Sequence, residues 1–292
     1  MIDYNPKDWF TFIFRIHKAD TVRKLMPMIV AICLYSALVA WLETAVWKLS
    51  DDSRVKNISL LHSLLGFVIS LLLAFRSNSA YDRWWEGRKL WGALVNNSRN
   101  LALRMNALLP EGDRDSREFF RTMIPNYAFA LKNHLRDQAK AEEFVAGGGV
   151  EFNHLDTARH VPNQIAAHLM RRAYSLQKQG VLTGEQLLSI NPELQSFTDI
   201  CGACERIRNT PIPFSYSVFL KKFIFFYVMT LPFGLAFSLG WFVIPAMAFI
   251  FYVLASMELI AEEIENPFGI DANDLPTERI SGNIRRHVEE IL

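Results

Sequence analysis

Few side chains in this sequence are spaced for chemistry, and they fall into two clusters and two stripes. Residues 262–274, Glu-Glu-Ile-Glu-Asn-Pro-Phe-Gly-Ile-Asp-Ala-Asn-Asp, gather carboxylates and carbonyls around a Pro-Phe-Gly turn. Oxygen donors on irregular backbone suit a hard cation such as calcium. A solvated acidic helix end has the same composition, and the spacing is not that of an EF-hand. Cys201-Gly-Ala-Cys204 has C-x-x-C spacing. It lacks the second pair of a structural zinc site and the β-α-β context of a redox motif, so both thiols are expected to pack. The stripes lie at i, i+4, i+8: Gly66, Ser70 and Ala74, then Phe67, Leu71 and Phe75. Small residues at this spacing let membrane helices approach closely. Large ones face lipid, or ring an axis and gate a pore by dewetting. Spacing leaves both readings open.

Other chemistry is absent from the pattern. The seven histidines are scattered without an H-E-x-x-H pair, and His168 with Arg171 and Arg172 reads as a solvated helix face. There is no Walker motif, no G-x-S-x-G and no G-x-G-x-x-G, and no convergent polar set for an enzyme. A formal net charge of +1 excludes the basic excess of a nucleic-acid binder. No cleavable signal is expected, because residues 1–24 are polar and mixed.

The elements that would position these residues are mostly membrane helices. Residues 223–257 run for thirty-five positions without Asp, Glu, Lys or Arg. About 20 residues cross a bilayer core, so this run predicts two spans. Pro232, Gly234, Gly240 and Pro245 lie within it, and the fold-back is placed at residues 238–241. Earlier spans are predicted over 25–47, with Glu43 near its far end, and 58–75. From 58 to 109 there is no proline, which predicts one helix of roughly 78 Å that leaves the bilayer. Amphipathic helices follow at 117–141 and 163–179, then a helical stretch at 183–208 with a possible break at Pro192. The resulting division is 1–24 cytosolic, 25–109 spans one and two with the helix extension, 110–220 cytosolic helices, 223–260 spans three and four, and 261–292 cytosolic. Lys and Arg flank spans one, two and three on one side, which places both termini and the long middle segment in the cytoplasm. A mean hydropathy of +0.11 agrees with spans plus a large aqueous part. A transporter is disfavoured, because spans one and two do not mirror three and four.

Three stretches together resemble the bestrophin family of ion channels. They are Phe75 to Trp85 with Arg83-Trp84-Trp85, Cys201-Gly202 followed by Ile212-Pro213, and Ile264-Glu265-Asn266-Pro267-Phe268-Gly269. The resemblance covers nearly the whole chain. It implies an all-α homopentamer around one axial pore in the lipid bilayer, passing small inorganic ions without catalysis. It implies a neck of Phe67, Leu71 and Phe75. A second constriction, counted back from Cys201, falls at Glu185. A ring of carboxylates there would favour monovalent cations such as sodium, with a chloride or other anion channel of the same architecture as the alternative, and a membrane scaffold or transporter beyond it. Of the family's calcium clasp, Asn266, Asp271 and Asp274 match while Ile270, Ala272 and Asn273 do not. No cofactor is therefore expected to be required.

Overall fold

The structure, a computed structural model, describes residues 21–47, 58–138, 140–145, 156 and 159–292. Most of the expected N-terminal segment, the link after span one and the Ala-Gly-Gly-Gly stretch at 146–149, expected as a loop, lie outside these. Among the described residues the chain is all helix. Helix α1 spans Thr21–Trp41 and runs into a π-turn, Leu42–Val46; α2 spans Ile58–Leu108; α3, Arg114–Leu135; α4, Val161–Lys178; α5, Gly184–Asn209; α6, Phe214–Leu239; α7, Val243–Glu265; and α8, Thr277–Ile291. Four of them are long and apolar enough to cross a membrane: α1, α2, α6 and α7.

Two cores share one helix. The first joins α1, α6, α7 and the first part of α2, with Ile69 and Leu73 packed among Leu220, Val228, Met247 and Phe251. The second joins the rest of α2 to α3, α4, α5 and α8, with Trp91, Leu94 and Met105 packed among Phe120, Tyr127 and Phe197. α2 reaches both because no proline interrupts its 51 residues, about 77 Å of helix. Lys24 at the start of α1 pairs with Glu263 at the end of α7. The beginning of α1, the end of α7 and the helical domain therefore lie on one side of the spans.

Local chemistry sets the ends. Asp113 caps α3, accepting from the Ser116 N–H (3.0 Å) and hydroxyl (2.6 Å). Thr183 and Gln186 form a reciprocal capping box at α5. The hairpin turns at Gly240, whose φ of +52° suits glycine.

Several expectations need correction. α6 begins at Phe214, not 223, because Lys221 and Lys222 stay helical at its water-facing end, where Lys221 pairs with Glu262 at 2.9 Å. Pro232 and Gly234 do not turn it. Pro192 does not break α5: Leu188, whose carbonyl the missing N–H leaves without its helical partner, is an exposed residue, and the Ser189 carbonyl accepts from Arg104. α3 ends at Leu135, six residues short of the forecast. Arg172 is no solvated group: it donates to Ser116 Oγ at 2.8 Å and lies over the Phe119 ring. Glu43 does lie at the far end of α1, where it is buried in the π-turn.

Gly66 meets α6 directly. A Cβ there would lie 2.8 Å from the Tyr227 hydroxyl. Gly66→Leu is expected to cost about 1–3 kcal/mol by overpacking, read as a lower unfolding midpoint in detergent. A midpoint equal to wild type would refute the contact.

Candidate functional site

α2 has two unlike faces through the membrane. Ile69 and Leu73 are 1% and 4% exposed, whereas Phe67, Leu71 and Phe75 are 69%, 47% and 58% exposed. The large stripe points away from α6 and α7, and no described residue of the chain covers it fully. The small stripe is split: Gly66 packs on Tyr227, while Ser70 and Ala74 are exposed, and the Ser70 hydroxyl donates to the Gly66 carbonyl at 2.8 Å.

One residue past Phe75 the helix is locked. Arg76, 2% exposed, puts Nη2 2.7 Å from Glu265 and Nε 3.4 Å from Glu258, both on α7. Two turns on, Arg83 donates to the carbonyls of Glu265 (2.9 Å), Thr210 (2.5 Å) and Ile207. The Glu265 carboxylate also accepts the Ile212 N–H at 2.7 Å, and Tyr216 donates to the Leu72 carbonyl at 2.9 Å. The Pro267-Phe268 turn lies against Gly87, where a Cβ would come within 3.1 Å of both rings. Trp84 Nε1 donates to the Asn273 carbonyl at 3.0 Å. The residues around Arg83-Trp84-Trp85, Ile212-Pro213 and Glu265-Asn-Pro-Phe-Gly, far apart in sequence, thus meet at the base of the exposed stripe. Arg76 was visible in the sequence only as one more basic flank; its burial and its partners were not.

The turn after α7 does not fit a calcium ion well. Asp271 and Asn266 are exposed, while Asp274 is buried and spends Oδ2 on the Asp271 N–H at 2.5 Å. Asn273 donates its amide to Glu263 at 2.6 Å. Two carboxylates and few free carbonyls fall short of the six to eight oxygens calcium takes. Burial pushes the Asp274 carboxyl up to about 6 from an ordinary 3.8. The fold therefore favours its protonated form: this contribution to stability is full below about pH 3.8, declines as pH rises toward about 6 and is flat above. Asp274→Asn should stabilise the protein by about 1 kcal/mol at neutral pH, discounted for partial solvation, and the gain should vanish near pH 4. Melting curves at both pH values check this. A destabilised Asn variant at neutral pH would mean that the ionised carboxylate has a partner.

Glu185 stands exposed in the first turn of α5. A hydrogen bond from its own backbone N–H and one from Thr183 hold its carboxyl below the ordinary range. It sits a turn before Ser189, whose carbonyl takes Arg104 of α2. That places it beside the end of α2 farthest from the membrane. Cys201 and Cys204 are buried as expected.

These features define the class: an all-α membrane protein whose long helix joins a four-span layer to a large aqueous helical domain. The sequence profile described as Bacterial/Fungal Bestrophin protein matches residues 1–290. A voltage-dependent anion channel-forming protein of Nostoc is 32% identical over 98% of this chain and 92% of its own. One of Escherichia coli K12 with the same description is 34% identical over 76% of this chain and 73% of its own. A crystal structure of a bestrophin homologue of Klebsiella pneumoniae, carrying one substitution, superposes with a TM-score of 0.81 at 25% identity, covering 92% of this chain and 99% of that one. The chain belongs to the bestrophin family, whose members are ion channels and not enzymes.

Proposed function

We propose that five copies of this chain surround one axial pore in the bacterial inner membrane, with both termini cytoplasmic, and that the pore passes monovalent anions such as chloride. The carrying observation is the uncovered stripe of Phe67, Leu71 and Phe75, on a helix whose other face is pinned by Arg76 and Arg83. Rings of such side chains make an apolar neck that gates by dewetting and discriminates little by charge. Beyond it, Asp82 and Lys89 continue the exposed face and cancel in charge. The description shared by the Nostoc and E. coli relatives therefore weighs toward anions, against the cation preference read from a Glu185 ring. In this reading Glu185 stands at the cytosolic exit and slows anions rather than selecting cations. Calcium is dispensable, because Asp271 and the one unpaired oxygen of Asp274 leave the turn after α7 with too few anionic donors.

Purified protein in planar bilayers under a potassium chloride gradient tests this. The reversal potential should move toward that of chloride, and further for Glu185→Gln, with the same current in chelator and in calcium. A reversal near the potassium potential would return the cation reading.

A further inference from the structure

Away from the pore, three helices bring nitrogen, oxygen and sulfur donors to one point. His134 lies in the last turn of α3, His160 is the N-cap of α4, and Glu205 and Cys201 lie one turn apart on α5. His134 Nε2 and His160 Nε2 each stand 2.6 Å from the same Glu205 oxygen. The ring centroids are 4.3 Å apart, and Cys201 Sγ is 4.0 Å from His160 Nε2. The two histidines and the carboxylate present donor atoms within 4.8 Å of one another. Their side chains are 28–30% exposed, so ions reach them from water in the subunit.

We propose that His134, His160 and Glu205, with Cys201 as fourth ligand, bind a divalent cation of the zinc class. The donor set chooses the metal. Imidazole and thiolate suit zinc, whereas calcium and magnesium require oxygen. A tetrahedral zinc, with bonds of about 2.0–2.1 Å to nitrogen and oxygen and about 2.3 Å to sulfur, holds its donors roughly 3.3–3.6 Å apart. The two 2.6 Å contacts must open and the 4.0 Å contact must close, each by well under 1 Å, within the reach of side-chain torsions. Arg208, the base that borders the site, is already engaged by Asp137 and the His134 carbonyl.

The proton balance is defined. Without metal, Glu205 accepts from an N–H on each ring. At His160 the tautomer is set by Nδ1, which accepts the Asn163 N–H at 3.1 Å. Metal at the two Nε2 atoms moves each ring's proton to its own Nδ1, and at His160 this gives up the one cap bond. Cys201 binds as thiolate and releases its proton to solvent. Because that proton must leave, metal uptake should weaken as pH falls. A filled site would tie α3, α4 and α5 together.

Cobalt reports the site without any channel assay. The full chain in detergent should take one Co²⁺ per subunit, with tetrahedral visible bands and a sulfur-to-cobalt charge-transfer band, and Zn²⁺ but not Ca²⁺ should displace it. His134→Gln and Glu205→Gln should weaken zinc at least about 100-fold, beyond the 10–100-fold of an outer-shell change, at an unchanged elution volume. His160→Asn supplies a second, fold-preserving arm, because asparagine is itself a good N-cap; it too should lose the metal. Cys201→Ser should remove the charge-transfer band. No cobalt uptake by wild type, or wild-type affinity in His134→Gln and His160→Asn, overturns the site; a spectrum without the sulfur band overturns the role of Cys201.

Discussion

Arg76→Met should be the most damaging single substitution in the protein. The guanidinium is 1% exposed and faces two carboxylates, those of Glu258 and Glu265. Removing it leaves both acids in a site built for a cation. Breaking a buried pair from one side costs about 3–5 kcal/mol, because the remaining charge is uncompensated. That is a large share of the 5–15 kcal/mol that holds a typical domain together. The midpoint of thermal unfolding in detergent should fall by roughly 10 °C. The triple variant Arg76→Met, Glu258→Gln, Glu265→Gln carries no stranded charge and should recover much of the loss. If the triple variant melts no higher than the single one, the damage comes from lost shape and not from charge, and the electrostatic account fails.

Replacing Phe67, Leu71 and Phe75 together with alanine should raise single-channel current by roughly two-fold or more. The three side chains lie on the uncovered face of α2, so truncation removes little packing inside the subunit. A wider, less apolar neck holds water more readily, and the dewetting barrier falls. The measurement is unitary current in planar bilayers at fixed voltage and salt, with the melting midpoint as a control. An unchanged current in a stable triple variant would move these residues from the pore to a lipid or subunit contact. The Arg76 result bears on the anchor and this one on the neck, so each assignment can fail alone.

Much of this architecture follows from local rules that act on the sequence directly. An uncharged run of thirty-five residues is too long for one crossing, and the chain turns at Gly240, inside the window where a turn was expected. A proline-free stretch with helical patterning predicts a helix to residue 109, and α2 ends at Leu108. The alternation of the two stripes on α2 is visible as spacing. What spacing cannot say is which stripe meets another helix, since lipid and a packed neighbour accept the same apolar side chains.

The remaining features depend on partners far away in the chain. Arg76 reads as a membrane-flanking base until the fold brings Glu258 and Glu265 to it from more than 180 residues away. Pro192 reads as a break until the fold keeps Leu188 on an exposed face and brings Arg104 to the Ser189 carbonyl. His134, His160 and Glu205 carry no motif spacing at all, and only the packing of α3, α4 and α5 makes them neighbours. The sequence by itself determined the spans, their turn and the unbroken helix α2, because hydropathy and backbone sterics are local quantities. Tertiary structure decided which face of α2 is pinned, which charges are buried and where the donor atoms converge, because ion pairs and coordination depend on distances between residues that sequence separation does not encode.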